Sequence, residues 1–181
     1  MSKPKVATAS LAGCFGCHMS ILDIDERIFA LIDRVDFDRS PIDDLKTFTA
    51  RCAIGLVEGG CGNEENVRVL RDFRKNCDVL ISLGDCATMG GLPAMRNTLP
   101  LKECLREAYL DGLTVYNPSG TIPSDREIPL LLNNVVPCHE VVQIDHHVPG
   151  CPPSADAIWE VLSALLAGAP ISLGYHLIKY D

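Results

Sequence analysis

Short apolar runs that close on glycine alternate along this chain with segments of helical period, which commits it to an α/β fold on a parallel sheet. The first run, residues 6–11, stops at Gly13. The helix that follows carries Ile21, Ile24, Ile28, Leu31 and Ile32 on one stripe, with Asp23, Asp25, Glu26 and Arg27 off it. A second run, 53–57, closes at Glu58-Gly59-Gly60, and the next helix sets Val67, Leu70 and Phe73 on one face. Residues 78–83 form the clearest strand and stop at Gly84. A third helix, about 101–110, precedes Thr114-Val115-Tyr116, and the proline-rich stretch 117–129 has no period. A late strand over 141–144 runs towards Pro149-Gly150, and 155–167 forms the final helix. No repeat or boundary interrupts the pattern, so residues 1–181 read as one domain, with 169–181 as a tail.

In such sheets ligands bind beyond the carboxyl ends of the strands, where the loops to the helices emerge. That rule sorts the nine cysteines, an odd number that rules out complete internal pairing. Cys14 and Cys17 follow the first strand, Cys61 the second, Cys86 the third and Cys151 the late one. Cys52 and Cys77 precede their strands and belong to the opposite edge. Cys104 shares a stripe with Leu101, Leu105 and Ala108 and reads as core, as does Cys138 beside Pro137, since a free thiol behaves as a small hydrophobe.

Five thiols therefore gather at one rim, and four suffice for a metal site. A set of four thiolates suits either zinc or an iron–sulfur cluster. Structural zinc sites usually combine two local Cys pairs, whereas here only Cys14 and Cys17 are close in sequence. The others sit far along the chain in glycine- and proline-rich turns, Gly84-Asp85-Cys86 and Gly150-Cys151-Pro152-Pro153. Such turns bring backbone amides close to inorganic sulfide, which favours a [4Fe–4S] cube. Reduced cysteines in ordinary loops are the bland alternative.

Composition narrows the setting. With 47% hydrophobic and 22% charged residues the chain folds, and its net charge of −8 withholds the basic face that a general nucleic-acid binder needs. Leu11-Ala12-Gly13-Cys14 has the form of a lipid-attachment box, but the stretch before it is short and contains Thr8 and Ser10, so a strand is expected there. Residues 161–178 lack charge, yet Gly168, Pro170 and Gly174 break them, and no membrane span is expected. The thiol density suits a reducing, cytoplasmic location.

Four ordered motifs carry a resemblance. Leu11-Ala12-Gly13-Cys14-Phe15-Gly16-Cys17-His18-Met19-Ser20, Glu58-Gly59-Gly60-Cys61-Gly62-Asn63, Gly84-Asp85-Cys86-Ala87 and Pro149-Gly150-Cys151-Pro152-Pro153 together resemble the small subunit of [NiFe] hydrogenases. The likeness extends over about residues 5–168 and is to the small (delta) subunits of cytoplasmic NAD-reducing members. It implies a flavodoxin-like, doubly wound domain that binds a proximal [4Fe–4S] cluster through Cys14, Cys17, Cys86 and Cys151. Gly13, Gly84, Pro152 and the spare thiol Cys61 are expected close around it. Longer members carry further clusters and a twin-arginine signal that this chain lacks, so a one-cluster version is expected.

The implied role is a relay. Electrons pass from the Ni–Fe site of a large subunit, through this cluster, to diaphorase iron–sulfur and flavin subunits that carry FMN and reduce NAD. The chain shows neither the paired Cys-x-x-Cys motifs that hold nickel in the large subunit nor a Gly-x-Gly-x-x-Gly fingerprint, so it carries no half-reaction alone. Glu58 is a candidate proton relay at the rim, although a carboxylate in a glycine turn is more often a hydrogen-bond acceptor. The loop 117–129 is a docking candidate. Three rivals stand beside this reading. A complex I cluster subunit would have two adjacent cysteines in its first motif, which Phe15 and Gly16 separate here. An FMN-binding module would show a Ser/Thr-rich phosphate loop after Ser10, and none is present. A redox-sensing interaction protein is the third.

Overall fold

The computed structural model describes residues 3–178. Five parallel strands form the main sheet: β1 (Lys5–Ser10), β2 (Asp36–Phe37), β3 (Cys52–Glu58), β5 (Cys77–Leu83) and β7 (His146–Val148), in the order β2-β1-β3-β5-β7. Counted within that sheet alone the order is 2-1-3-4-5, the flavodoxin-like arrangement expected, with its switch point between β1 and β3. A short antiparallel pair, β4 (Cys61–Asn63) and β6 (Leu131–Val136), stands apart.

The central strands are buried on both faces, and their side chains divide by the two-residue period. Val6, Ile54, Leu56, Ile81 and Leu83 point to one side, where α1 (Gly16–Leu22), α2 (Arg27–Ile32) and α6 (Ala155–Leu166) supply Ile21, Leu31 and Ile158. Ala7, Ala9, Val57 and Leu80 point to the other, where α3 (Glu64–Asn76) inserts Leu70 and Phe73. Helix α3 is well specified locally. The Asn63 side chain caps it by accepting from the Asn66 amide at 2.8 Å, while Glu64 and Glu65 open it and Arg74 and Lys75 close it in accord with the helix dipole. Two shorter helices, α4 (Asp85–Met89) and α5 (Leu101–Arg106), follow β5.

The observed elements differ from the expected ones at four places. The helix predicted through residues 21–32 is broken into α1 and α2 by a turn in which Asp25 adopts φ 60°. That turn buries Ile24 completely but leaves Ile32 44% exposed. The late strand lies at 146–148, not 141–144. Asp145 explains the shift, because its carboxylate accepts from the Leu80 amide at 2.7 Å and from Arg74 at 2.6 Å. The chain joins β5 only once that residue has docked, and Val141, Val142 and Ile144 pack from a turn instead. The predicted third helix is α-helical only to Arg106 and finishes in a π turn, and residues 114–116 form no strand. Finally, α5 buries none of its residues, so Cys104 is half-exposed rather than core.

Candidate metal centre

Register places the strand ends level. Ser10 pairs with Glu58, Glu58 with Leu83, and Leu83 with Val148, so the loops after β1, β3, β5 and β7 rise from one rim. There they enclose a cavity of ≈ 70 Å³ walled by Cys14, Cys17, Cys86 and Cys151, with Gly13, Glu58, Gly59, Asp85, Gly150 and Pro152 between them. Cys14 stands in the loop after β1, where the Gly16 amide approaches its sulfur at 3.4 Å. Cys17 lies in the first turn of α1 and Cys86 in that of α4. Cys151 follows Gly150, whose φ of 135° only glycine adopts readily. Cys14 and Cys151 are exposed, while Cys17 and Cys86 are half-buried.

Glycines let the thiols approach. A Cβ on Gly84 would lie 2.3 Å from Cys17 Sγ, and one on Gly16 would lie 3.1 Å from Cys14 Sγ. A Cβ on Gly13 would press on Gly59 Cα at 3.2 Å. Beside them, Phe15 takes a left-handed φ of 68° and stacks on the His18 ring at 4.5 Å. The Asp85 carboxylate accepts from the Gly150 amide at 2.7 Å, and the Asp85 amide donates to the Gly150 carbonyl at 3.0 Å.

Glu58 forms part of the wall and is only 2% exposed. It accepts from the Ser10 hydroxyl at 2.7 Å and the His18 amide at 3.1 Å. His18 Nδ1 stands 3.2 Å from the same carboxylate but out of line for a hydrogen bond, while Nε2 pairs with the Thr8 hydroxyl at 2.9 Å. Burial pushes Glu58 upward, yet the His18 and Ser10 contacts outweigh it and hold the carboxyl below its ordinary range. Burial and the neighbouring Glu58 charge push the Cys17 thiol far up. Cys86 is raised as well, first by burial, with Cys151 and Cys14 adding to it against a backbone bond from Leu92. Both shifts favour the protonated Cys17 and Cys86 thiols, so a metal group bound through them would displace their protons.

The donor set fits a polynuclear guest. Four soft sulfurs face one space, yet among the described residues no three Cys, His, Asp or Glu side chains converge closely enough to share a single ion. The cavity is several times the roughly 10–15 Å³ that one water needs, and far below the roughly 300–1,000 Å³ of drug-sized ligand pockets. Spread thiols in a small space suit a sulfur-bridged cluster better than zinc or a flavin. A larger groove of ≈ 240 Å³, lined by Thr8, Ser10, Arg39, Ser40 and Lys46, holds no thiol. Its cations are engaged, Arg39 with Asp72 and Lys46 with backbone carbonyls.

Of the five rim thiols, the structure brings four together and turns the fifth away. Cys61 is wholly buried in the core below Gly59, beside Cys138, and does not line the cavity. Cys138 donates to the Gly59 carbonyl at 3.4 Å, and its neighbour Cys61 together with burial pushes its thiol far up. Cys52 and Cys77 sit opposite each other at the far edge, as expected, both buried. The tie between Asp85 and Gly150 was not legible, because it depends on the fold rather than on any local motif.

Comparison with known proteins gives the family and the fold. The sequence pattern of the NADH ubiquinone oxidoreductase, 20 Kd subunit family matches residues 14–165. The chain is 49% identical over 180 residues to the NAD-reducing hydrogenase HoxS subunit delta of Cupriavidus necator, covering 99% of this chain and 86% of that one. It is 39% identical over 173 residues to one subunit of the F420-non-reducing hydrogenase of Methanothermobacter marburgensis, a longer protein of which it spans only 56%. A chain in the crystal structure of a NAD+-reducing [NiFe]-hydrogenase in the H2-reduced state superposes with a TM-score of 0.95 at 47% identity, with 99% of each chain covered. The [NiFeSe]-hydrogenase of Dm. baculatum gives 0.57 at 16% identity, a likeness of fold alone.

Proposed function

This chain belongs to the NADH ubiquinone oxidoreductase, 20 Kd subunit family, among the small (delta) subunits of [NiFe] hydrogenases, and from that premise we propose that it is the electron-transfer subunit of a NAD-reducing [NiFe] hydrogenase. Its cofactor is one [4Fe–4S] cluster, for which Cys14, Cys17, Cys86 and Cys151 supply the ligands. When bound, such a cluster passes one electron at a time between a nickel–iron site and the groups that reduce NAD. The carrying observation is that four cysteines from three separate regions of the sequence wall a single cavity.

The residues here hold and tune rather than transform. The exposed sulfurs of Cys14 and Cys151 mark the side open to partners, and Cys17 and Cys86 mark the side sealed by the domain. Glu58 has both oxygens engaged by Ser10 and His18, so it fixes the start of α1; a proton role would need one of those bonds to open. The partners in this reading are a large subunit with the nickel–iron site and diaphorase subunits with further clusters, FMN and the NAD site. Residues 91–134, none of them buried, supply surface for docking. All nine cysteines are free, and among the described residues no helix is long and apolar enough to cross a membrane. Both facts suit the cytoplasmic location we assign.

Anaerobic purification of the complex tests this. The expected result is about four iron and four labile sulfide in this chain, with hydrogen-dependent reduction of NAD. Zinc in place of iron would remove the relay. Reduction of a deazaflavin or polysulfide but not NAD would keep the family and overturn the acceptor.

A further inference from the structure

We propose that Asp85 is a positioning residue of the thiol cage, tying the loop that bears Cys86 to the loop that bears Cys151 through its capacity to accept a hydrogen bond. The inference rests on the reading that these two cysteines share a cluster. The β5–β7 ladder ends at the pair Leu83 and Val148. Beyond it Gly84 N still donates to Val148 O at 2.8 Å, and Asp85 N to Gly150 O at 3.0 Å. The Gly150 amide then has no backbone acceptor on the neighbouring loop, and Asp85 Oδ1 fills that place at 2.7 Å. Asp85 and Gly150 thus exchange two hydrogen bonds, one through a side chain, each residue directly preceding a ligand cysteine.

The rest of the site makes this tie consequential. Asp85 is only 9% exposed, an unusual place for a carboxylate unless it is hydrogen-bonded. Gly150 cannot be braced by a side chain of its own, since a Cβ would meet Pro153 at 2.6 Å. Cys151 itself is exposed and lies outside any helix or strand, so its loop relies on Gly150 for attachment to the sheet. The bland alternative for Asp85, a charge in the first turn of α4, predicts dependence on charge. The clamp predicts dependence on an acceptor oxygen. Asn keeps that oxygen without the charge, and Ala removes both.

The test compares the full chain, reconstituted anaerobically with iron and sulfide, as wild type, Asp85→Asn and Asp85→Ala. Iron content, the visible absorption of the cluster and the rate of iron release to a chelator are measured for each. Asp85→Asn is expected to load fully and release iron within about twofold of wild type, whereas Asp85→Ala loses iron at least tenfold faster. Equal retention in Asp85→Ala, or equal loss in Asp85→Asn, would overturn the clamp; if Asp85→Ala does not fold, Asp85→Leu, of similar size and without an acceptor, takes its place against Asp85→Asn. Hydrogen exchange at the Gly150 amide of the iron-free chain is a separate readout, protected in wild type and Asp85→Asn but not in Asp85→Ala. If the wild type takes up no cluster while that pattern holds, the cofactor reading fails and the tie between the loops stands.

Discussion

Replacing Gly84 by Ala should displace Cys17, one of the four proposed cluster ligands, at a modest cost to the fold. Gly84 has φ 83° and ψ 164°, a region that only glycine occupies comfortably, so an alanine there carries about 1–3 kcal/mol of backbone strain. The new Cβ would also lie 2.3 Å from Cys17 Sγ, with Gly150 O at 3.4 Å and Pro153 Cδ at 3.7 Å closing off a retreat. Ordinary contact needs about 3.5–4 Å, so the sulfur must move by roughly 1 Å or more. A thiol can rotate away cheaply, but metal ligation tolerates only about 0.2 Å. The expected result is therefore a split: denaturant unfolding of the iron-free chain shows a loss of about 1–3 kcal/mol, while iron and labile sulfide fall well below the wild-type content. Gly120→Ala is the control, since φ there is 63° and nothing lies within 4 Å of the added carbon. It should cost about 1–2 kcal/mol and leave the cluster intact. Full iron content in Gly84→Ala, or equal iron loss in both variants, would refute the reasoning.

Three further outcomes are expected. Cys86→Ser should abolish or convert the cluster and Cys104→Ser should leave it unchanged, as read by electron paramagnetic resonance of the reduced protein; equal loss would mean that sorting thiols by strand end is wrong. The buried Asp38 carboxylate, pushed up by burial but more strongly stabilised by Lys5, Thr49 and Arg39, is pulled down to about 2. Its folded value lies below the unfolded one of about 3.9, so its contribution of about 2 kcal/mol is complete above pH 4 and is lost as pH falls towards 2. Urea midpoints should decline over that window in wild type, and less steeply in Asp38→Asn. Amides in residues 91–134 should exchange rapidly in the isolated chain and become protected in the hydrogenase complex, since this stretch buries no residue of its own; unchanged exchange on assembly would remove it from the docking surface.

Most of the site was legible because strand register does the sorting. Once Ser10, Glu58, Leu83 and Val148 are level, a cysteine a few residues beyond any of them stands at the same rim. Cys52 and Cys77, at the strand starts, pair at the opposite edge for the same reason. The rule failed for Cys61 because the chain does not leave for a helix after β3. Gly59, with φ 82°, reverses it into a bridge between Gly60 and Ala12, and β4 then carries Cys61 inward to Cys138. Proximity to a strand end predicts the rim only where a loop leads outward, and a Gly-Gly pair is the warning that it does not.

Cys104 failed for a different physical reason. The stripe of Leu101, Cys104, Leu105 and Ala108 is real, but helical period reports which face of a helix is apolar, not which molecule covers it. Here the domain covers it only in part: Leu101, Cys104 and Leu105 are half-buried and Ala108 is exposed. Nearby Leu92 is 71% exposed and Met95 67% exposed, although free energy favours burying such side chains by about 1.5–3 kcal/mol each. Exposed apolar side chains in the stretch that follows Cys86 fit the docking surface proposed for it. The expectation of Cys104 as core and the docking role proposed for residues 91–134 therefore meet in one observation: the domain leaves this apolar face only partly covered.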